Sequence, residues 1–123
     1  AQTNVLLSNK ALVSVLGETG GSIGINGSRV ELTGESTLQA GIKEGLGSIK
    51  SKAFNIDINA VGDVYLKDGS RVQNTVQDKA SGQAGDINIK IGGSLYATNG
   101  STISASIFGK QSSAGNIRVN ALG

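Results

Sequence analysis

Few side chains in this sequence are of a type that does covalent or acid–base chemistry, and those few are dispersed. Histidine and cysteine are absent, which removes the commonest general base, the commonest metal ligand and the thiolate nucleophile. Nucleophilic catalysis would then need a hydroxyl activated by an amine. The pairs at hand are Ser8 with Lys10 and Lys110 with Ser112, both in polar, turn-like stretches where such residues belong anyway. Two carboxyls facing a groove would suit sugar-bond cleavage, yet Asp57 and Asp63 meet no acidic partner at matching positions of the repeat described below. Gly20-Gly21 and Gly92-Gly93 begin like calcium-binding repeat turns but lack the glycines and aspartates that should follow. Gly41 to Gly47, with Lys43, lacks the Gly-Lys-Ser/Thr ending of a phosphate loop. The expectation is a non-enzyme with no catalytic residue, metal or cofactor.

The elements that would carry any surface function emerge when the chain is slid against itself. Ser22-Ile23-Gly24-Ile25, Asn55-Ile56-Asp57-Ile58, Asp86-Ile87-Asn88-Ile89 and Asn116-Ile117-Arg118-Val119 align, with Ile23, Ile56, Ile87 and Ile117 spaced by 33, 31 and 30 residues. A second segment recurs as Arg29 to Leu32, Asp63 to Leu66 and Ser94 to Ala97, and a third as Ser36 to Ile42, Ser70 to Val76 and Ser101 to Ile107. Leu32 to Leu38, Leu66 to Val72 and Ala97 to Ile103 are each six residues apart, so the segments stay in step. Periods of this size belong to solenoids, and alternation at period two marks strands with one buried face. The reading is an all-β parallel β-helix of about four coils of 30–33 residues, each with three short strands. Residues 1–19 are expected to form an incomplete first coil or cap. Residues 20–123 would hold the repeats, with coils starting near residues 22, 55, 86 and 116.

The alternation assigns Ile, Val, Leu and Ala to the interior, with Ile23, Ile56, Ile87 and Ile117 as a core ladder. Val5, Leu7, Ala11, Val13 and Val15 fit the second and third strands of the incomplete coil. Asn74 is the odd inward residue, matched by Ala40 and Ala105; a buried amide must find partners, so either it bonds turn backbone or the strand breaks there. Between the second and third strands, Gly34, Asp68, Gly69, Asn99 and Gly100 mark sharp turns, since Gly, Asn and Asp accept positive φ at low cost. The joints from Lys43 to Phe54, Gln77 to Gly85 and Phe108 to Gly115 differ in length and are where a solenoid places insertions and often its binding face. Phe54 and Phe108, at their borders, are expected to cover edges of the core. Tyr65 and Tyr96 fall at one outward position in successive coils, after Glu31. They form a surface ladder that could stack on a sugar ring or a protein, or brace the sheet, and the bracing role is favoured.

Composition fits this reading. The chain has 19 glycines and no proline, and its net charge of +2 is scattered. Lys43, Lys50 and Lys52 cluster, but Glu44 sits among them, and no basic face with interleaved aromatics appears, so nucleic acid is not an expected partner. No apolar run reaches 18 residues, so no transmembrane helix is expected. A start without Met and a finish at Gly123, just after a first strand, read as a piece of something longer. Uncapped coil ends would favour end-to-end self-association.

The order Gly85-Asp86-Ile87-Asn88-Ile89, Gly93-Ser94-Leu95, Asn99-Gly100, Ile103-Ser104-Ala105-Ser106, Phe108-Gly109 and Gly115-Asn116-Ile117 resembles the repeats of filamentous haemagglutinin-like proteins, exported by two-partner secretion and common in cyanobacteria. The likeness is clearest over residues 82–119. It implies a right-handed β-helix in a large secreted protein at the cell surface, serving adhesion, aggregation or extracellular structure, and it brings no catalytic residues. The family's Asn-rich export motifs are not found here. The expected function is therefore a structural or adhesive segment, a rigid stalk or binding surface. Its ligand would be a cell-surface component, a polysaccharide or a protein. Alternatives are a self-assembling extracellular fibre subunit and a carbohydrate-binding or carbohydrate-active β-helix.

Overall fold

A computed structural model describes residues 4–18, 21–48, 50–109 and 112–123. Outside them lie Ala1 to Thr3, Thr19 and Gly20, which belong to the expected first coil and the Gly20-Gly21 turn, and Lys110, half of the Lys110–Ser112 pair. The described chain is all strand and turn. After β1 (Val5–Leu7) and β2 (Leu12–Ser14), the first full coil holds β3 (Ile23–Gly27), β4 (Val30–Leu32) and β5 (Thr37–Ile42). The second holds β6 (Ile56–Ala60), β7 (Val64–Leu66) and β8 (Arg71–Val76), followed by the short β9 (Gly82–Gln83). The third holds β10 (Ile87–Ile91), β11 (Leu95–Ala97) and β12 (Thr102–Ile107), and β13 (Ser112–Ser113) and β14 (Ile117–Ala121) complete the chain.

Like strands stack on like. Three four-stranded sheets run β1-β4-β7-β11, β3-β6-β10-β14 and β2-β5-β8-β12, and every pairing is parallel. The fold is thus a parallel β-solenoid of three complete coils with a partial coil at each end, as the period requires. Ile23, Ile56, Ile87 and Ile117 are register partners, as are Val30, Val64 and Leu95 and Leu38, Val72 and Ile103. Val5 and Leu7 pair with Val30 and Leu32, and Val13 with Leu38. Because the side-chain period in a strand is two, this register puts the whole apolar set on one side. Val30, Leu32, Leu38, Ile56, Ile58, Val64, Leu66, Val72 and Ile87 have no exposed surface and form one continuous core.

Burial departs from the alternation pattern in the last coil. Ala97, Ile107, Ile117 and Val119 keep their register but are exposed, Ile117 by 42%. An inward side chain in a solenoid is covered by the coils on both sides of it, and among the described residues these four have a register partner on one side alone.

The turns after the second strands are built alike. Positive φ falls at Gly34 and Glu35, at Asp68 and Gly69, and at Asn99 and Gly100. The same bend occurs at Asn9 and Lys10, a position the glycine pattern does not reveal. Successive turns hydrogen-bond to each other through Lys10 N to Gly34 O, Glu35 N to Asp68 O and Gly69 N to Asn99 O. Asp68 receives the Asn99 amide at 3.0 Å and the Thr33 hydroxyl at 3.1 Å. Those two bonds, the Asn99 one foremost, hold its carboxyl below the usual carboxylate range.

The joints are more ordered than their composition suggests. β9 and β13 form a fourth ladder, to which Lys52 adds a bridge at Gln83. Beneath it Ile42, Ala53, Val76, Ala80 and Ala84 make a second small core. Small residues permit this: a Cβ on Gly82 would lie 2.5 Å from Ile42 Cδ1 and 2.6 Å from Ser51 O. Phe54 and Phe108 do not cover the core edge, being 55% and 67% exposed. At the first joint the inward slot belongs to Ala53, so its strand-like neighbour Phe54 faces out.

Candidate functional site

Functional side chains on a solenoid can stand only on the outward rows and joints, and each row must be asked whether its members satisfy one another. Glu31, Tyr65 and Tyr96 are register partners on β4, β7 and β11. The tyrosine rings stack at 4.9 Å between centroids and 13° between planes. On Tyr65, the Arg29 guanidinium lies 4.2 Å from the ring centroid and the Lys67 ammonium 4.9 Å. Glu31 ties both cations, at 2.7 Å to Arg29 and 3.7 Å to Lys67. The Tyr65 hydroxyl donates to Asp63 Oδ2 at 3.2 Å. Partial burial under these neighbours, and then the Asp63 carboxylate, push the Tyr65 phenol above its usual value. The Tyr65 ring is thus engaged by Tyr96 and by the two cations, whereas Tyr96 itself is 45% exposed. This geometry suits cross-strand bracing better than a sugar platform.

Asn74 is fully buried and does not break β8. Its Nδ2 donates to Phe54 O at 3.0 Å and to Asp86 O at 3.4 Å, and its Oδ1 accepts from Gly85 N at 3.1 Å. One amide thereby fastens the backbone leading into β6 and β10, using both of its donor hydrogens. Ala40 and Ala105 flank it in the stack, which leaves room for the longer side chain to reach the joints.

The residues with catalytic chemistry stay apart. Asp57 accepts from Asn88 Nδ2 at 3.1 Å, and Asp63 Oδ1 accepts from Ser94 N at 2.8 Å. Lys10 pairs with Glu35 at 3.8 Å, not with Ser8. Ser112 Oγ is buried without a hydrogen-bond partner among the described residues. Among the described residues no group of three or more His, Cys, Asp or Glu comes together. No helix among them is long and apolar enough to cross a membrane.

On the outward face of the β3-β6-β10-β14 sheet the sequence singles out Asp57 but not the row beside it. Two rows run along this face. In the first, Gly24, Asp57, Asn88 and Arg118 are register partners, and they are internally bonded. Arg118 donates to Asp86 Oδ2 at 2.9 Å and to Asn88 Oδ1 at 3.4 Å. Asp86 also accepts from Asn116 N at 2.8 Å. That backbone bond, and then Arg118, hold the Asp86 carboxyl below its usual range. In the second row Asn26, Asn59, Lys90 and Asn120 are register partners. They line a shallow open groove of about 340 Å³ together with Val61, Gly92 and Leu122. Its legible signal is the alternation that recurs at Ile23 to Asn26, Ile56 to Asn59, Ile87 to Lys90 and Ile117 to Asn120, which turns the last residue of each outward.

Comparison of the chain with protein-family models, curated proteins and solved structures gives no match. What stands is the solenoid itself and the chemistry of its rows.

Proposed function

We propose that this chain is a non-catalytic structural or adhesive segment of a large secreted cell-surface protein, a rigid stalk or a binding surface. The observation that carries the reading is the unbroken register of three parallel sheets along one axis. Hydrogen bonds run from coil to coil in every sheet, and side chains fill the interior continuously. Such a stack extends by adding coils without altering its cross-section, which suits a spacer. The polar ladders Ser14–Gln39–Gln73 and Thr33–Asp68–Asn99 stiffen its outside with bonds between coils. The resemblance of residues 82–119 to filamentous haemagglutinin-like repeats supports the extracellular setting.

The test is location and reach. Antibodies raised against the folded chain should label intact source cells or detect the protein in their medium, and an exclusively intracellular signal would sink the reading. Removing one whole coil, residues 56–86, should leave a folded and displayed protein, because Ile87 inherits the register of Ile56. Adhesion of cells carrying the shortened stalk should weaken only where reach limits contact. Loss of folding on that deletion would contradict the modular rod.

A further inference from the structure

We propose that the outward face of the β3-β6-β10-β14 sheet binds an anionic polysaccharide along its axis, with Asn59, Lys90 and Asn120 as the polar row and Val61 and Leu122 as apolar walls. The contrast between the two rows of this face is the starting point. Asp57, Asn88 and Arg118 spend their hydrogen bonds on one another and on Asp86. Among the described residues, the side chains of Asn26, Asn59, Lys90 and Asn120 have no protein hydrogen-bond or ion-pair partner. Each amide offers two donor hydrogens and an acceptor oxygen, and the ammonium three donors. They recur at the strand spacing of about 4.8 Å, a periodic array facing one groove.

The corner beside this row supplies the apolar component. Gly92 lies one coil from Val61, and a Cβ there would stand 2.0 Å from Val61 O, so the position is held to glycine by the backbone packed against it. The result is a notch between Val61, 64% exposed, and Leu122, 81% exposed. A sugar ring has the matching two-sided chemistry: hydroxyls for the amides and an aliphatic C–H face for the walls. The charge selects its class. Among the described residues Lys90 is the one ionisable side chain lining this groove, and an ammonium without a protein partner favours a carboxylate or sulfate on the sugar.

This proposal adds a ligand to the displayed-rod reading but is tested on the isolated chain. A displayed rod that binds no acidic glycan loses only the groove, and a chain that binds but stays inside cells loses only the display. The probes are polygalacturonate oligomers, dextran sulfate and uncharged dextran, with binding followed by NMR backbone shifts. Shifts should concentrate at residues 59, 61, 90, 92 and 120. Lys90→Asn places in the third coil the residue already found in the others of this row, so the fold should tolerate it. It should weaken binding about tenfold or more, the scale of one lost charge-assisted contact. Arg71→Thr removes the same charge from the β2-β5-β8-β12 sheet, where its register partners Thr37 and Thr102 are already threonine, and should leave binding unchanged. Preference for one acid over the other would keep the proposal and name the group. Equal weakening by both variants would reduce the effect to net charge and overturn it. Shifts absent from the groove, or equal with uncharged dextran, would overturn it as well.

Discussion

The middle coil and the last coil are written in the same pattern and held in the same register, yet they have different interiors. In β6, β7 and β8 the inward Ile56, Ile58, Val64, Leu66, Val72 and Val76 have no exposed surface, whereas Ile107, Ile117 and Val119 of β12 and β14 are exposed. Pattern fixes which way a side chain points; burial is a property of the coil above and the coil below. In a one-dimensional stack, stability is therefore a sum over neighbouring interfaces, not a property of each repeat.

The comparison is broken most directly at one apolar position in each coil. Leu66→Ala should cost about 2–5 kcal/mol, the range for a large side chain deleted from a packed core. Ile117→Ala should cost within about 1 kcal/mol, because much of that side chain is in water already. Urea unfolding of both variants checks this, and equal costs would show that the last coil is as well covered as the middle one. The next effect lies inside the middle coil itself. Asn74→Ala leaves the Gly85 N–H and the Phe54 carbonyl without their partner and should cost about 1–3 kcal/mol. Ala105→Asn, at the matching position of the next coil, should not recreate the clamp. Hydrogen exchange at Gly85 should accelerate in Asn74→Ala before the core strands open.

A smaller effect is expected across the same two coils on the outside. A double-mutant cycle with Tyr65→Ser and Tyr96→Ser should give a favourable coupling below the Asn74 loss. The Lys67 and Arg29 cations should keep part of the cluster together when Tyr96 alone is removed. The smallest effect is set by pH. Asp68 and Asp86 have carboxyls held below the ordinary value, so the folded state binds protons less readily than the unfolded chain. Their contribution is fully present above the unfolded value near 3.9. It is lost as pH falls through that value and on through the lower folded one. Melting temperature should thus be flat above about pH 5 and fall in acid. Asp86→Asn should change neutral stability little, because Asn55 already accepts the Asp86 N–H at 2.8 Å in the coil before. It should flatten part of the acid limb, and an unchanged limb would remove Asp86 from the account.

How much of this was legible varied with the length of the signal. Three segments recurring in step announced the coils, and the spacing from Leu32 to Leu38 and its counterparts announced the second-to-third-strand corner. The joints were not legible, because β9 and β13 are two residues long and carry no periodicity. Their order comes from Ala53, Ala80 and Ala84 meeting Ile42 and Val76 from distant parts of the chain. Hydrophobicity alone points Phe54 and Phe108 to the core edge, whereas both are exposed and the inward slot beside Phe54 is filled by the smaller Ala53. The tyrosine ladder was legible as a position, but what covers the Tyr65 ring faces was not, since Arg29 and Lys67 approach from either side of the strand row.

The groove shows the same division. That Asn26, Asn59, Lys90 and Asn120 stand outward in one row follows from the period of two along each strand and of 30–33 along the chain. That these side chains lack partners while the Asp57 row is closed on itself does not follow, because it depends on which neighbouring side chains reach across about 4.8 Å. The sequence by itself determined the direction of each side chain and the order of the coils, since both are periodic properties of a local pattern. Only the tertiary structure decided which apolar residues are covered, where Asn74 finds its partners and which polar row remains open, because each is a contact between residues about a coil apart or more.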